Sequence, residues 1–173
     1  MIFMSQSGIT DPSRERDWDA WYLKHLEIMA TVPGVSSAQR FKTQTPGHSP
    51  SLAMYSFASG DVFEDPYYLS VRGMGEWLPL IDKRWYKRNL FDGADAAPVI
   101  AEGRLLLVAD RERPQAGEIE WTWLECVGID RSTPYRGIAV VERHAADRIE
   151  NDARIAVYEP ATARYINRGG ATR

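Results

Sequence analysis

The stretch Asp17-Trp18-Asp19-Ala20-Trp21-Tyr22-Leu23-Lys24-His25-Leu26, with Val32-Pro33-Gly34-Val35 and Arg40-Phe41 after it, decides how this chain is read. Trp18, Trp21, Tyr22, Met29 and Val32 recur at the spacing of one helical face. They predict an amphipathic helix from Arg14 to Val32. Asp11-Pro12-Ser13 supplies a polar cap and a proline for the first turn, and Pro33-Gly34 stops the helix. His25 interrupts the apolar stripe one turn after Trp21. An imidazole, with an ordinary pKa of ~6.5, can be tuned among aromatics for acid or base work. It can equally be a structural histidine bonded to a backbone carbonyl.

Outward from this helix, Ile2 to Ser7 reads as a first strand and Ser36 to Lys42 as a second, weaker one. Pro46, Gly47 and Pro50 mark a loop before a third strand, Leu52 to Phe57. Asp61 to Asp82 is a second helical region, broken by Pro66, Gly73, Gly75 and Pro79, and Trp85 to Phe91 a fourth strand. Strand, helix, strand, strand, helix, strand is the ferredoxin-like order. A connector from Asp92 to Glu102 leads to Arg104-Leu105-Leu106-Leu107-Val108-Ala109-Asp110, whose unbroken apolar run predicts a strand buried on both faces. Gly117 to Val127 reads as a short helix or a strand, with helix preferred, and Cys126 as a buried filler at a helix end. Tyr135 to Glu142 and Arg154 to Glu159 complete the strands, and Gly169-Gly170 reads as a frayed end.

The chain has 173 residues, 44% hydrophobic and 26% charged, as expected of a globular chain with room for one substantial domain or two small sheet halves. A net charge of -3 without a basic run argues against nucleic acid. No apolar stretch approaches the roughly 18 residues of a membrane span. The first residues lack the charged region of a signal peptide. A single cysteine, Cys126, excludes an internal disulfide and fits a reducing cytoplasm. The six tryptophans and eight tyrosines suit either an aromatic core or a pocket for an apolar or aromatic ligand.

An internal repeat is suggested by IFMSQS against LLLVAD, VPGV against CVGI, Arg40-Phe41 against Tyr135-Arg136, and LAMYSFAS against RIAVYEPA. The second copy has no counterpart of the helical region from Asp61 to Asp82. The expected architecture is α+β: a ferredoxin-like α/β barrel with an abridged second βαββ repeat, residues 1–93 forming the first half and 94–173 the second.

The helix motif ending in Pro-Gly-Val, with arginine and an aromatic on the next strand, resembles the dimeric α/β-barrel superfamily, and within it EthD-like small-molecule proteins. The resemblance covers about the first 90 residues. It implies two ferredoxin-like sheets pairing into a barrel, within one chain or as a homodimer, with a pocket between each sheet and its helices. Members include cofactor-free monooxygenases, lactone isomerases, polyketide cyclases, dehydratases and haem-handling enzymes, so fold alone does not specify the reaction.

His25 is the leading candidate acid or base, with Tyr22 or Tyr68 as donor to a developing oxyanion. Trp21 and Met29 flank it along the helix. Tyr67, Tyr68, Arg72 and Trp77 lie beside two glycines in a segment that reads as a lid or pocket wall. Arg72 is the candidate anchor for a carboxylate. Trp85 is a further candidate substrate contact. Alternation puts Arg84, Tyr86 and Arg88 on one face, read as a solvated edge strand. His48 and His144 are expected to be exposed, and no histidine pair has metal-ligand spacing. No glycine-rich nucleotide loop occurs, so no cofactor is expected. The expected function is cofactor-independent proton transfer on a small, partly aromatic carbonyl or lactone compound, as an isomerase, cyclase, dehydratase or lyase. The alternatives are a non-catalytic binding or accessory protein, and a haem- or oxygen-dependent enzyme.

Overall fold

The computed structural model describes residues 1–146, 149 and 153–167; the Gly169-Gly170 pair lies outside them. Among the described residues, eight strands close into an antiparallel barrel. They are β1 (Ile2–Ser7), β2 (Val35–Lys42), β3 (Ser51–Phe57), β4 (Lys87–Asp92), β5 (Arg104–Arg111), β6 (Thr122–Ile129), β7 (Tyr135–Glu142) and β8 (Ala156–Pro160). Around the barrel the order is β3-β1-β4-β6-β7-β5-β8-β2, and β2 pairs with β3 to complete the circle. A short β9 (Tyr165–Ile166) adds to β2. The barrel therefore closes within one chain.

The helices are few. The predicted first helix is α1 (Glu15–Met29), preceded by a 3-10 turn at Pro12–Arg14 that Asp11 caps by accepting from the Ser13 N–H at 3.0 Å. Trp18, Tyr22, Leu26 and Met29 form its buried stripe. Trp21 and His25 stand half-buried on its flank. After α1 the chain turns at Gly34, whose φ is +80°, and a Cβ there would meet the Val62 side chain at 2.7 Å. The broken second helical region resolves into a 3-10 turn at Gly60–Glu64, α2 (Pro66–Val71) and a 3-10 segment at Gly75–Leu80. Its breakers leave no run long enough for a helix of more than two turns. Beyond it, α3 (Arg143–Ala146) follows β7. None of the described helices is long and apolar enough to cross a membrane.

The strands alternate strictly between two cores. Ile2, Met4, Phe41, Leu52, Met54, Phe91, Leu106, Val108, Leu124, Ile138, Ala156 and Tyr158 fill the barrel. Phe3, Ala38, Ala53, Tyr55, Phe57 and Leu90 face outward under α1, α2 and the 3-10 segments. Leu107, Ala109 and Ala139 form a smaller outer cluster on the second half. The apolar run of β5 is thus buried on both faces, as its composition predicts.

Three expectations are corrected. Residues Thr122–Ile129 are strand, not helix. Leu124 and Cys126 turn toward the barrel while the Trp121 and Trp123 rings press on Gly137, a period of two that the tryptophan-rich composition conceals. Cys126 accordingly sits half-buried mid-strand, near Asn89 Oδ1 at 3.5 Å. Second, β4 is no edge: it pairs with β1 on one side and β6 on the other, because the sheet closes. Third, the segments that suggested a repeat do not all take matching places in the strand order. Within each half the strand order is the same, β2-β3-β1-β4 and β6-β7-β5-β8. That order equates β1 with β5, as the first pair of segments suggested. It equates β3 with β7, not with the β8 segment that its sequence resembles. Two-faced burial makes short apolar strands alike whatever their place in the sheet.

Candidate functional site

A cavity of about 290 Å³ opens between the outer face of the first half and the helices that cover it. β1 contributes Phe3 and Ser5, α1 contributes Tyr22, His25 and Met29, and β3 contributes Tyr55. Tyr68 comes from α2, and Arg72, Gly73 and Met74 from the turn that follows. Tyr86 and Arg88 enter from the start of β4.

Of the residues singled out from sequence, His25, Tyr22, Tyr68, Met29 and Arg72 line this cavity together. Trp21 is behind it, stacked on His25. Trp77 is buried in the core, its ring tilted against Trp18 at 5.2 Å. Tyr67 points away: its hydroxyl shares a hydrogen bond with Thr31 at 3.1 Å and ties α2 to the end of α1. Trp85 lies on the far side of the strand entry, near Gly8. Phe3, Ser5, Tyr55, Met74, Tyr86 and Arg88 were not singled out as site residues. Alternation did pair Tyr86 with Arg88, and it would also place Phe3 with Ser5. Neither pattern says that the shared face looks into a cavity.

The site's electrostatics follow from burial. Desolvation pushes the His25 imidazole down to about 4, so it is neutral near pH 7. Its ring has no hydrogen bond among the described residues. The phenols stay protonated. Burial pushes Tyr68 up to about 12 and also raises Tyr22, Tyr55 and Tyr86. At Tyr22 the rise is opposed by the Arg40 charge and by the Ser7 and Ser5 hydroxyls. Arg40, 2% exposed on β2, lies 4.3 Å over the Tyr22 ring and bonds Asp19 and Ser51, each at 2.8 Å. It forms the floor beneath α1 rather than a wall of the cavity. Arg88 pairs with Asp130 at 3.1 Å, whereas Arg72 is exposed and has no ion pair among the described residues.

The arrangement therefore offers one neutral nitrogen base, several phenolic donors and two guanidinium groups around a small, largely aromatic space. Among the described residues, no group of three His, Cys, Asp or Glu side chains is placed to hold a metal ion. Compared with known proteins, the chain matches no family model, no curated protein and no solved structure.

Proposed function

We propose that the His25 cavity is the active site of a cofactor-independent enzyme that moves a proton on a small carbonyl or lactone compound. The observation that carries this reading is the ring of His25, which borders the cavity without a hydrogen-bond partner among the described residues while Tyr68 and Arg72 line the same space. His25 takes a proton from a carbon next to the carbonyl. The electron pair moves to the carbonyl oxygen, which a phenol of Tyr68 or Tyr22 stabilises by donating a hydrogen bond. Returned to another carbon, the proton completes an isomerisation; given to a β-hydroxyl whose C–O bond breaks, it leaves as water in an elimination; and where the enolate carbon bonds to a second carbonyl of the substrate, that oxygen takes the proton in a cyclisation. Arg72 holds a substrate carboxylate at the rim. The volume suits a compound of about one ring, at the small end of ligand pockets.

Two ferredoxin-like halves, the second stripped of its long helices, are supported by the strand order that both halves share.

Deuterium exchange tests the function. A panel of aryl ketones and aromatic lactones is incubated with the protein in heavy water, and loss of the α-proton signal is followed by NMR. Exchange with the wild type and none with His25→Gln is the expected result. A second reading, a non-catalytic binding protein, is favoured by the low basicity of an imidazole titrating at about 4. Ligand binding without exchange, unchanged in His25→Gln, would establish that reading instead.

A further inference from the structure

The barrel is plugged at one end and carries a surface cavity over the other. Ala97 and Ile100 of the connector between β4 and β5 pack with the interior residues at the plugged end. The Ala97 N–H donates to Ser56 Oγ at 2.9 Å, and Arg164 donates to the Ala97 and Pro98 carbonyls at 2.9 and 2.7 Å. At the opposite end, where β1 and β5 finish and β4, β7 and β8 begin, a cavity of about 620 Å³ lies over the barrel. It shares no lining residue with the His25 cavity.

Its floor is part apolar, from Val108, Pro134, Ala156 and Tyr158, and part polar, from Gln6 and His48. Val108, Ala156 and Tyr158 belong to the barrel core. The Tyr158 hydroxyl is turned to the Ser49 carbonyl at 2.7 Å. The rim is cationic, with Lys87, Arg111 and Arg113 around the opening. Two carboxylates share this wall, Asp110 and Glu112. Asp110 is taken up by the fully buried Arg136, whose Nε and Nη2 reach it at 2.7 and 2.8 Å. Arg111 is aimed by the carbonyls of Asp110 and Arg154, at 2.8 and 3.3 Å, and by Gln115 Oε1 at 3.2 Å. None of those oxygens cancels its charge. Lys87 and Arg113 are exposed and have no ion-pair partner among the described residues. This positive rim stands on a chain whose formal net charge is -3, so it runs against the overall sign.

We propose that the cavity over this barrel end is a second ligand site, for an amphiphilic organic carboxylate. The apolar body lies against Val108, Ala156 and Tyr158, and the carboxylate meets Lys87, Arg111 and Arg113. A charged rim around a partly apolar floor selects for both parts of such a molecule. An uncharged chain forfeits the ion pairing, and a bare anion forfeits the burial.

Isothermal titration of the full chain with octanoate tests this, with octan-1-ol and inorganic phosphate as controls. Octanoate is expected to bind saturably, and to weaken as potassium chloride is raised. Either control should bind roughly tenfold more weakly or worse. The double variant K87E/R113E changes two exposed side chains, and circular dichroism checks that it folds. It should lose roughly tenfold or more in octanoate affinity. R72Q, in the other cavity, should bind octanoate as the wild type does. The proposal is overturned by no saturable binding, by octanol or phosphate matching octanoate, or by an affinity indifferent to both salt and K87E/R113E. Loss in R72Q instead would place the carboxylate in the His25 cavity and equally overturn it.

Discussion

The imidazole of His25 lies face to face on the indole of Trp21, ring centroids 4.8 Å apart and planes 11° apart. Trp21 in turn stacks on Trp18 at 5.1 Å and 8°, so three rings run as one column along α1. The Tyr22 ring meets His25 edge-on at 5.9 Å. Stacking fixes the ring's plane beside the cavity, and the same aromatic surroundings strip it of water.

That desolvation makes stability depend on pH. The unfolded chain titrates His25 near ~6.5, but the folded protein holds it neutral down to about 4. Between these values the unfolded state binds the additional proton, so this contribution is complete above pH ~6.5 and is lost as pH falls toward about 4. Urea titrations across this window should show a flatter acid limb for His25→Gln than for the wild type. Parallel curves would mean that His25 is well solvated.

On the proposed function, His25→Gln should lower the exchange rate by roughly a hundredfold or more, the scale of general base catalysis. Tyr68→Phe should lower turnover with little change in KM, since its hydrogen bond matters when charge develops on oxygen. Arg72→Gln should raise KM for carboxylated substrates and leave uncharged ones unaffected. Steady-state kinetics on matched substrate pairs separates these effects.

Arg40 links β2 to α1 through Asp19 and through the faces of Tyr22 and Trp18, at 4.3 and 5.7 Å. Arg40→Met keeps much of the apolar stem but takes a donor from Ser51 and leaves Asp19 with Lys42 alone. A loss of about 2–3 kcal/mol is expected, below the full penalty for a broken buried pair because Asp19 is partly exposed. Denaturant midpoints at constant slope measure it.

Arg136 crosses the barrel interior, binding Asp110 with two donors and Gln6 Oε1 at 2.8 Å, with the Met4 sulfur 3.5 Å from Nη1. Arg136→Met should cost about 2–3 kcal/mol, again below the full penalty because Asp110 is partly exposed. Arg136→Lys should not restore it, since an ammonium lacks the fork. Combining Arg136→Met with Asp110→Leu should recover part of the loss, because neither charge is then left alone. Additive losses in the double variant would show that the pair is not coupled.

Gly137 on β7 is the bed for two indoles. A Cβ there would stand 2.9 Å from the Trp121 ring and 3.0 Å from the Trp123 ring. Gly137→Ala should destabilise by about 1–3 kcal/mol, through overpacking rather than backbone strain. A lower melting temperature together with altered tryptophan emission is the expected signature, and an unchanged melting temperature would show that the rings shift aside freely.

Much of this architecture was present in local sequence. The helix stripe of Trp18, Tyr22 and Met29, the Asp11-Pro12 start, the Pro33-Gly34 stop and the apolar run of β5 each depend on residues a few positions apart. Period, capping and backbone freedom act at that range, so they could be read directly. The company of His25 with Tyr22, Tyr68, Met29 and Arg72 was also legible, because α1 and the segment after β3 cover the same sheet face. Tertiary structure decided the rest. Closing the sheet paired β4 with β6, which turned a supposed edge into a wall and set Tyr86 and Arg88 facing His25's cavity. Pairing with β7 made a strand of the Trp121–Cys126 region. The connector plugs one barrel end through contacts with residues of both halves. Such outcomes rest on contacts between residues far apart in the chain, whose energies no local pattern encodes.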